Sequence, residues 1–166
     1  GVNFIHGNID TLIEKKISKF DIITMHDVLE HISEPSTLIK KCNFLLKNNG
    51  RIFIKVPNSQ SLQLDLLKEY SWEISSPFHR TLFSIDGLKS IANKNNLIIS
   101  EIFEDLNTWG WTRGLSIKSN LEKYYEKLRQ NIHFKKLDYN IDLLLENISK
   151  KINQKSIHFI VMKRKK

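Results

Sequence analysis

The chain reads as an α/β protein: an open sheet with a helical hairpin appended. Three observations predict this class. Short apolar runs at Phe20–Met25, Arg51–Val56 and Leu97–Phe103 alternate with segments whose apolar residues recur at steps of three or four. Phe20–Met25 is nearly all apolar, the pattern of a parallel strand covered on both faces. Turn-prone pairs and triplets, Gly7-Asn8, Asn48-Asn49-Gly50 and Asn95-Asn96, punctuate the sequence between these runs.

Taken in order, Val2–His6 is a short strand candidate closed by Gly7-Asn8. Asp10–Ser18 carries Leu12, Ile13 and Ile17 on one or two helical turns. After the Phe20–Met25 strand, Ser33 or Ser36 caps a helix. Its inward positions are Leu38, Ile39, Cys42 and Leu45/Leu46, and Asn48-Asn49-Gly50 stops it. The strand Arg51–Val56 ends at Pro57-Asn58, and Ser61–Tyr70 is helical, with Leu62, Leu66 and Leu67 on one side. Ser71–Phe83 is an irregular connector rich in aromatic and polar groups. Ser84 then caps a helix bearing Leu88, Ile91 and Ala92, followed by the strand Leu97–Phe103. Trp109 and Trp111 sit in a loop, readable as a lid, a membrane-touching edge or ordinary core aromatics. Two amphipathic helices follow, one burying Leu121, Tyr125, Leu128 and Ile132, the other Leu137, Ile141, Leu144, Ile148 and Ile152. Ile157–Met162 is the last strand. No repeat or low-complexity linker interrupts the sequence, so residues 1–166 form one expected domain, with a helical insertion at 115–154.

Composition narrows the class further. Hydrophobic residues at 40% and charged residues at 27% of 166 positions are ordinary for one folded domain. No apolar run approaches the roughly 18–20 residues of a membrane span, and no secretory leader pattern opens the chain. A cytoplasmic protein is expected. The lone Cys42 excludes an intrachain disulfide framework, and without a CxxC partner it argues against a redox motif or zinc ribbon. The net charge of +8 comes from dispersed lysines and a basic end, Lys163-Arg164-Lys165-Lys166. Solvated lysines explain such an end more simply than a polyanion does, so nucleic acid is not an expected partner.

The chemistry concentrates where Phe20–Met25 runs into Asp27, Glu30 and His31. On a helical turn, positions i, i+3 and i+4 share a face, and open α/β sheets bind ligands at the carboxyl ends of their strands. A further histidine, His79, follows 48 positions after His31. Two carboxylates with two imidazoles make a mixed oxygen–nitrogen donor set, to which imidazole brings a preference for Mn, Fe, Co or Zn. The competing reading has Glu30 capping or pairing locally and His31 packing at a helix start. Without a metal, His31 or His79 is still a candidate general base. His79 lies in Pro77-Phe78-His79-Arg80, between Trp72 and Phe83. That segment is either a pocket wall whose Arg80 grips an anionic group or a packed loop whose Arg80 pairs with a neighbouring acid. His6, His26, His133 and His158 have no ligand-like spacing, and Cys42 reads as inert.

Three stretches carry a resemblance: FDIITMHDVLEHISEP, LLKNNGRIFIKVPN and PFHRTLFSIDGLKSIANKNNLIISE. In this order and spacing they resemble the carboxyl-terminal two-thirds of a class I S-adenosylmethionine-dependent methyltransferase, from Val2 to about Glu104. Ile157–Met162 is similar to that family's final antiparallel strand. The resemblance implies a partial Rossmann-like sheet, strands three to seven of the family, with a helical hairpin inserted before the last strand. It implies S-adenosylmethionine as cofactor and, as reaction, O-methylation of a small molecule such as a quinone precursor, phenol, sugar or lipid head group. Asp27, Glu30, His31 and His79 resemble the E-x-x-E-H…H metal set of ubiquinone-pathway O-methyltransferases and small-RNA 2′-O-methyltransferases. A divalent ion (Mg, Mn, Fe or Zn) is implied. Asp27 stands for the first Glu with a shorter reach, which favours a water-bridged contact. The cofactor-binding positions implied are Asn8, Ile9, His26 and Asp27, with Arg80 and Trp72 facing the acceptor.

One departure is large. All six glycines stand isolated, and none builds the Gly-rich cofactor turn. The family's first two strands would lie beside Phe20–Met25, so an unpaired edge is expected there. The chain is therefore expected to be a trimmed or incomplete form of a longer enzyme that binds S-adenosylmethionine weakly or not at all by itself. Two other readings stay open: RNA 2′-O-methylation, and an inactive methyltransferase-like binding or assembly module. A homodimer through the helical insertion or the sheet edge is a further expectation.

Overall fold

Residues 1–61, 64–65, 71–74, 77–105 and 157–165 are described by a computed structural model. The chain opens in an extended segment and forms helix α1 (Ile9–Glu14), then strand β1 (Phe20–His26) and a single 3-10 turn, Leu29–His31. Helix α2 (Pro35–Leu45) leads directly into strand β2 (Leu46–Pro57). A second 3-10 turn, Trp72–Ile74, precedes helix α3 (Ile85–Lys94) and strand β3 (Leu97–Asp105). Strand β4 (Ile157–Arg164) completes the sheet.

The strands lie in the order β1-β2-β4-β3. β1 and β2 are parallel, and β4 runs antiparallel to both neighbours, placing Ile54 opposite Ile160 and Ile102 opposite Ile160 on the other side. Alternation on β2 buries Ile52, Ile54 and Val56 against Ile39 and Cys42 of α2 and Leu88 and Ala92 of α3. Each such aliphatic side chain contributes about 1.5–3 kcal/mol by leaving water. The sheet thus turns its apolar face to these helices, while its carboxyl-terminal edge at His26 and Pro57 is free to carry chemistry.

β1 differs from expectation. Met25 is its buried residue, and Ile22 is 58% exposed. Among the described residues β1 has one neighbouring strand, β2, and so stands at the sheet edge, where side chains have less cover than in the sheet interior. Val2–His6 forms no strand: Val2 and Phe4 are 97% and 85% exposed, and no ladder partner lies beside them among the described residues. Strand propensity without a neighbouring strand does not fix an extended segment.

Local chemistry accounts for the remaining boundaries. α2 begins with Pro35 at its first position and Glu34 as an N-cap that makes no side-chain bond, so neither Ser33 nor Ser36 caps it. Ser36 Oγ instead accepts a hydrogen bond from Asn95 Nδ2 at 3.1 Å. Asn48-Asn49-Gly50 do not stop the helix. They bulge from β2, whose pairing with β1 jumps from Phe20↔Leu46 to Ile22↔Arg51. A Cβ at Gly50 would lie 2.7 Å from Leu46 Cγ and 3.0 Å from the Asp21 carbonyl oxygen, so only glycine fits this approach. Ser84 caps α3 as expected, its Oγ accepting from Gly87 N at 3.1 Å.

Arg164 closes the amino-terminal edge of the sheet. Its guanidinium donates to Asn43 Oδ1 at 2.9 Å, Asn48 Oδ1 at 3.0 Å and the carbonyls of Asn43 and Leu46 at 2.7 and 2.9 Å. Two of those acceptors are carbonyls at the α2 carboxyl end, where backbone acceptors outnumber donors; the Asn43 carbonyl also accepts from the Leu46 N–H. The readings of most of Ser61–Tyr70, of Asn107–Gly114 and of the hairpin at 115–154 fall outside the described residues.

Candidate metal centre

The centre forms where β1 gives out. Asp27 takes a left-handed backbone conformation, φ 53°, which turns the chain off the sheet at a cost of about 1–2 kcal/mol for a residue with a side chain. Its N–H still reaches the Lys55 carbonyl at 3.1 Å, and its carboxylate pairs with Lys55 Nζ at 2.8 Å. The 3-10 turn follows, with Leu29 buried in the core and Glu30 only 1% exposed, while His31 stays exposed. Asp27, Glu30 and His31 therefore do not share one face of an α-helical turn. A one-turn 3-10 element after a left-handed residue replaces the expected helix start.

The Pro77–Phe83 segment straps across this turn. The N–H groups of Arg80 and Thr81 both donate to the Glu30 carbonyl, at 2.8 and 3.2 Å. Phe83 anchors the far end of the strap in the core, and its carbonyl accepts from Ser59 N at 3.0 Å. The strap carries His79 to His31, with ring centroids 4.8 Å apart and planes inclined by 53°. His31 Nδ1 lies 2.8 Å from the Phe78 carbonyl and His79 Nδ1 lies 2.9 Å from the Glu73 carbonyl. A carbonyl oxygen only accepts, so each Nδ1 carries a proton, and Nε2 is the nitrogen of each ring that has a lone pair to offer a ligand.

Glu30, His31 and His79 each offer a donor atom, all within 4.8 Å of one another. Donors about 2.1 Å from one ion can stand at most about 4.2 Å apart, so the set closes on a cation by roughly half an ångström. Glu30 Oε2 is buried and has no hydrogen-bond partner among the described residues. Burial pushes the Glu30 carboxyl up from its ordinary range; its own backbone hydrogen bond and His31 draw it down, Asp27 pushes it up, and His79 draws it down. A buried, unsatisfied carboxylate oxygen beside two imidazoles with committed Nδ1 protons suits a divalent cation.

Of the four residues expected to hold a metal, the structure gathers Glu30, His31 and His79 and sets Asp27 apart on Lys55. Asn8 is the N-cap of α1: its Oδ1 accepts from Asp10 N at 2.9 Å and Thr11 N at 3.2 Å, so that oxygen is committed to the helix. Ile9 packs partly buried against the core, and His26 is exposed at the end of β1. Arg80 is exposed and has no ion pair among the described residues. Trp72 opens the 3-10 turn whose Glu73 carbonyl holds His79. Elsewhere, burial pushes the Cys42 thiol up to about 11 and the His158 imidazole down to about 4.

Sequence reasoning missed Lys55 and the two carbonyl acceptors. The carbonyls carry no side-chain signal. Lys55 could be found only from the parallel register, which sets it opposite His26, beside the residue where β1 turns.

A family profile described as a methyltransferase domain matches residues 3–102. The chain belongs to the methyltransferase domain family. Among curated relatives of this methyltransferase-domain chain is the ubiquinone biosynthesis O-methyltransferase of Glaesserella parasuis, 50% identical over 40 residues, which cover 24% of this chain and 17% of that protein. The enzyme of the same name from Nitrosococcus oceani is 35% identical over 57 residues, covering 34% of this chain and 24% of that protein. The matched stretches thus span about a fifth of those relatives' length. The crystal structure of a SAM-dependent methyltransferase from Archaeoglobus fulgidus superposes with a TM-score of 0.52 at 18% identity, covering 94% of this chain and 64% of that one. At that identity the superposition shows the shared Rossmann-like fold. No helix among the described residues is long and apolar enough to cross a membrane.

Proposed function

We propose that this methyltransferase-domain chain takes part in S-adenosylmethionine-dependent O-methylation of a small-molecule hydroxyl, with Glu30, His31 and His79 holding a divalent ion at the acceptor. The observation that carries this reading is the convergence of three donor atoms within 4.8 Å at the carboxyl end of β1. The names of the curated relatives, over short matches, support oxygen as the acceptor atom.

In the reaction, the acceptor oxygen displaces the sulfonium sulfur at the methyl carbon: a C–O bond forms, the C–S bond breaks, and the hydroxyl proton is released. Bound here, a divalent ion would lower the pKa of the acceptor hydroxyl. The chain's residues orient the reactants and move the proton. With Nδ1 on a carbonyl, each ring has only its Nε2 lone pair to give: it ligates the ion, the hydroxyl proton then leaving to solvent, or, where no ion is bound, it accepts that proton itself. Glu30 supplies negative charge in a desolvated position, where its attraction for a cation is strongest. We assign Arg80 and Trp72 to the acceptor, and the Arg80 guanidinium, which has no ion pair among the described residues, favours an acceptor bearing an anionic group. Asn8, Ile9, His26 and Asp27 line the cofactor side, Asn8 offering its amide hydrogens.

The experiment is methyl transfer in the intact protein from isotopically labelled S-adenosylmethionine to a panel of phenols and catechols, with and without a chelator. Chelation, Glu30→Gln, His31→Gln and His79→Gln are each expected to lower turnover by about 100-fold or more. Undiminished turnover in all three variants would overturn the site. Cofactor binding without turnover on any hydroxyl acceptor would favour the inactive binding module.

A further inference from the structure

Two facts about Asp27 do not follow from the reading above. It lies three residues from Glu30 in a motif position that suits a metal ligand, yet its carboxylate stands outside the converging set and against Lys55 Nζ at 2.8 Å. Lys55 also accepts the Asp27 N–H at its own carbonyl, 3.1 Å away, so one β2 residue holds Asp27 by both backbone and side chain. The φ of 53° at Asp27 is part of the same arrangement, because it turns the chain off the sheet immediately after the N–H that still pairs with β2.

We propose that Lys55 is a positioning residue that sets the number of carboxylates at the centre. By binding Asp27 it keeps the donor set at one carboxylate and two imidazoles, and its loss releases Asp27 to join them. This inference rests on the metal reading of Glu30, His31 and His79. The pair is partly open to water, with Lys55 and Asp27 side chains 26% and 55% exposed, so Asp27 can exchange its partner without unfolding the turn. A second carboxylate tightens a divalent site through its added charge and ligand. The cation of Lys55 also opposes a bound metal through space, and the test must separate these two effects.

The test is titration of the metal-free protein with Mn²⁺, followed by calorimetry and by the free-Mn²⁺ EPR signal, in wild type, Lys55→Met, Lys55→Arg, Asp27→Asn and the Lys55→Met/Asp27→Asn double variant. Lys55→Met is expected to bind Mn²⁺ about tenfold more tightly. Lys55→Arg and Asp27→Asn should stay within about twofold of wild type, and the double variant should lose the gain. A Lys55→Met affinity equal to wild type overturns the inference. So does a gain that persists in the double variant, which would be the through-space charge alone. Wild type that is folded by circular dichroism and binds no Mn²⁺ at millimolar concentration overturns the metal reading itself, and this inference with it. Wild type that binds while Lys55→Met is unchanged leaves the metal reading standing.

Discussion

The two ends of the sheet each gather a polar cluster, and the clusters are built on opposite terms. At the amino-terminal edge, the Arg164 guanidinium makes four hydrogen bonds to Asn43, Asn48 and Leu46, at 2.7–3.0 Å. At the carboxyl edge, Glu30, His31 and His79 spend one side of each imidazole on a carbonyl and keep their other donors back. A satisfied cluster ties elements together; a reserved one costs stability unless something arrives to complete it. Their difference teaches which polar group is architecture and which is a candidate for binding.

The largest effect should come from the satisfied cluster. Arg164→Ala strands the α2 carboxyl end and two asparagines, and is expected to cost about 3 kcal/mol in urea unfolding. Mn²⁺ affinity should be unchanged. A strong loss of metal affinity in that variant would break the contrast between the two ends.

His158 sharpens the comparison, because it is a buried imidazole that belongs to neither cluster, on β4 opposite Val56 of β2. Its folded pKa, about 4, is below the ordinary 6.5. The neutral ring therefore contributes stability above pH 6.5, and that contribution is lost as pH falls through the folded value. Between pH 7.5 and 4.5 the wild type should lose about 2 kcal/mol more than His158→Gln, measured by chemical unfolding at each pH.

Glu30→Gln should act in the opposite direction. Removing an unsatisfied buried charge is expected to stabilise the metal-free protein by about 1 kcal/mol while abolishing Mn²⁺ binding. A destabilised Glu30→Gln would identify Glu30 as a structural acid. Smallest of all, Ile22→Thr on the exposed edge of β1 should change stability by less than about 0.5 kcal/mol, whereas Ile54→Ala on β2 costs about 3 kcal/mol.

Much of this was legible in the sequence for reasons that differ residue by residue. Apolar periodicity marked Ile39 and Cys42 on α2, Leu88 and Ala92 on α3, and β2 to β4, because burial against one face leaves a local pattern. The position of β1 at the sheet edge agrees with the unpaired edge expected there, whereas its apolar composition misled. Val2–His6 misled likewise, since a strand needs a partner that no local pattern guarantees. The approach of His79 to His31 spans 48 positions and was readable only through a motif resemblance. The Lys55–Asp27 pair was hidden because it depends on register and on the backbone turn at Asp27.

The most direct test of the central claim is ¹⁵N NMR of the histidine rings before and after Zn²⁺ addition. The account predicts Nδ1-protonated tautomers for both His31 and His79, with both Nε2 resonances moving together as one equivalent of Zn²⁺ binds. Nε2-protonated rings, or a shift at one histidine alone, would contradict it.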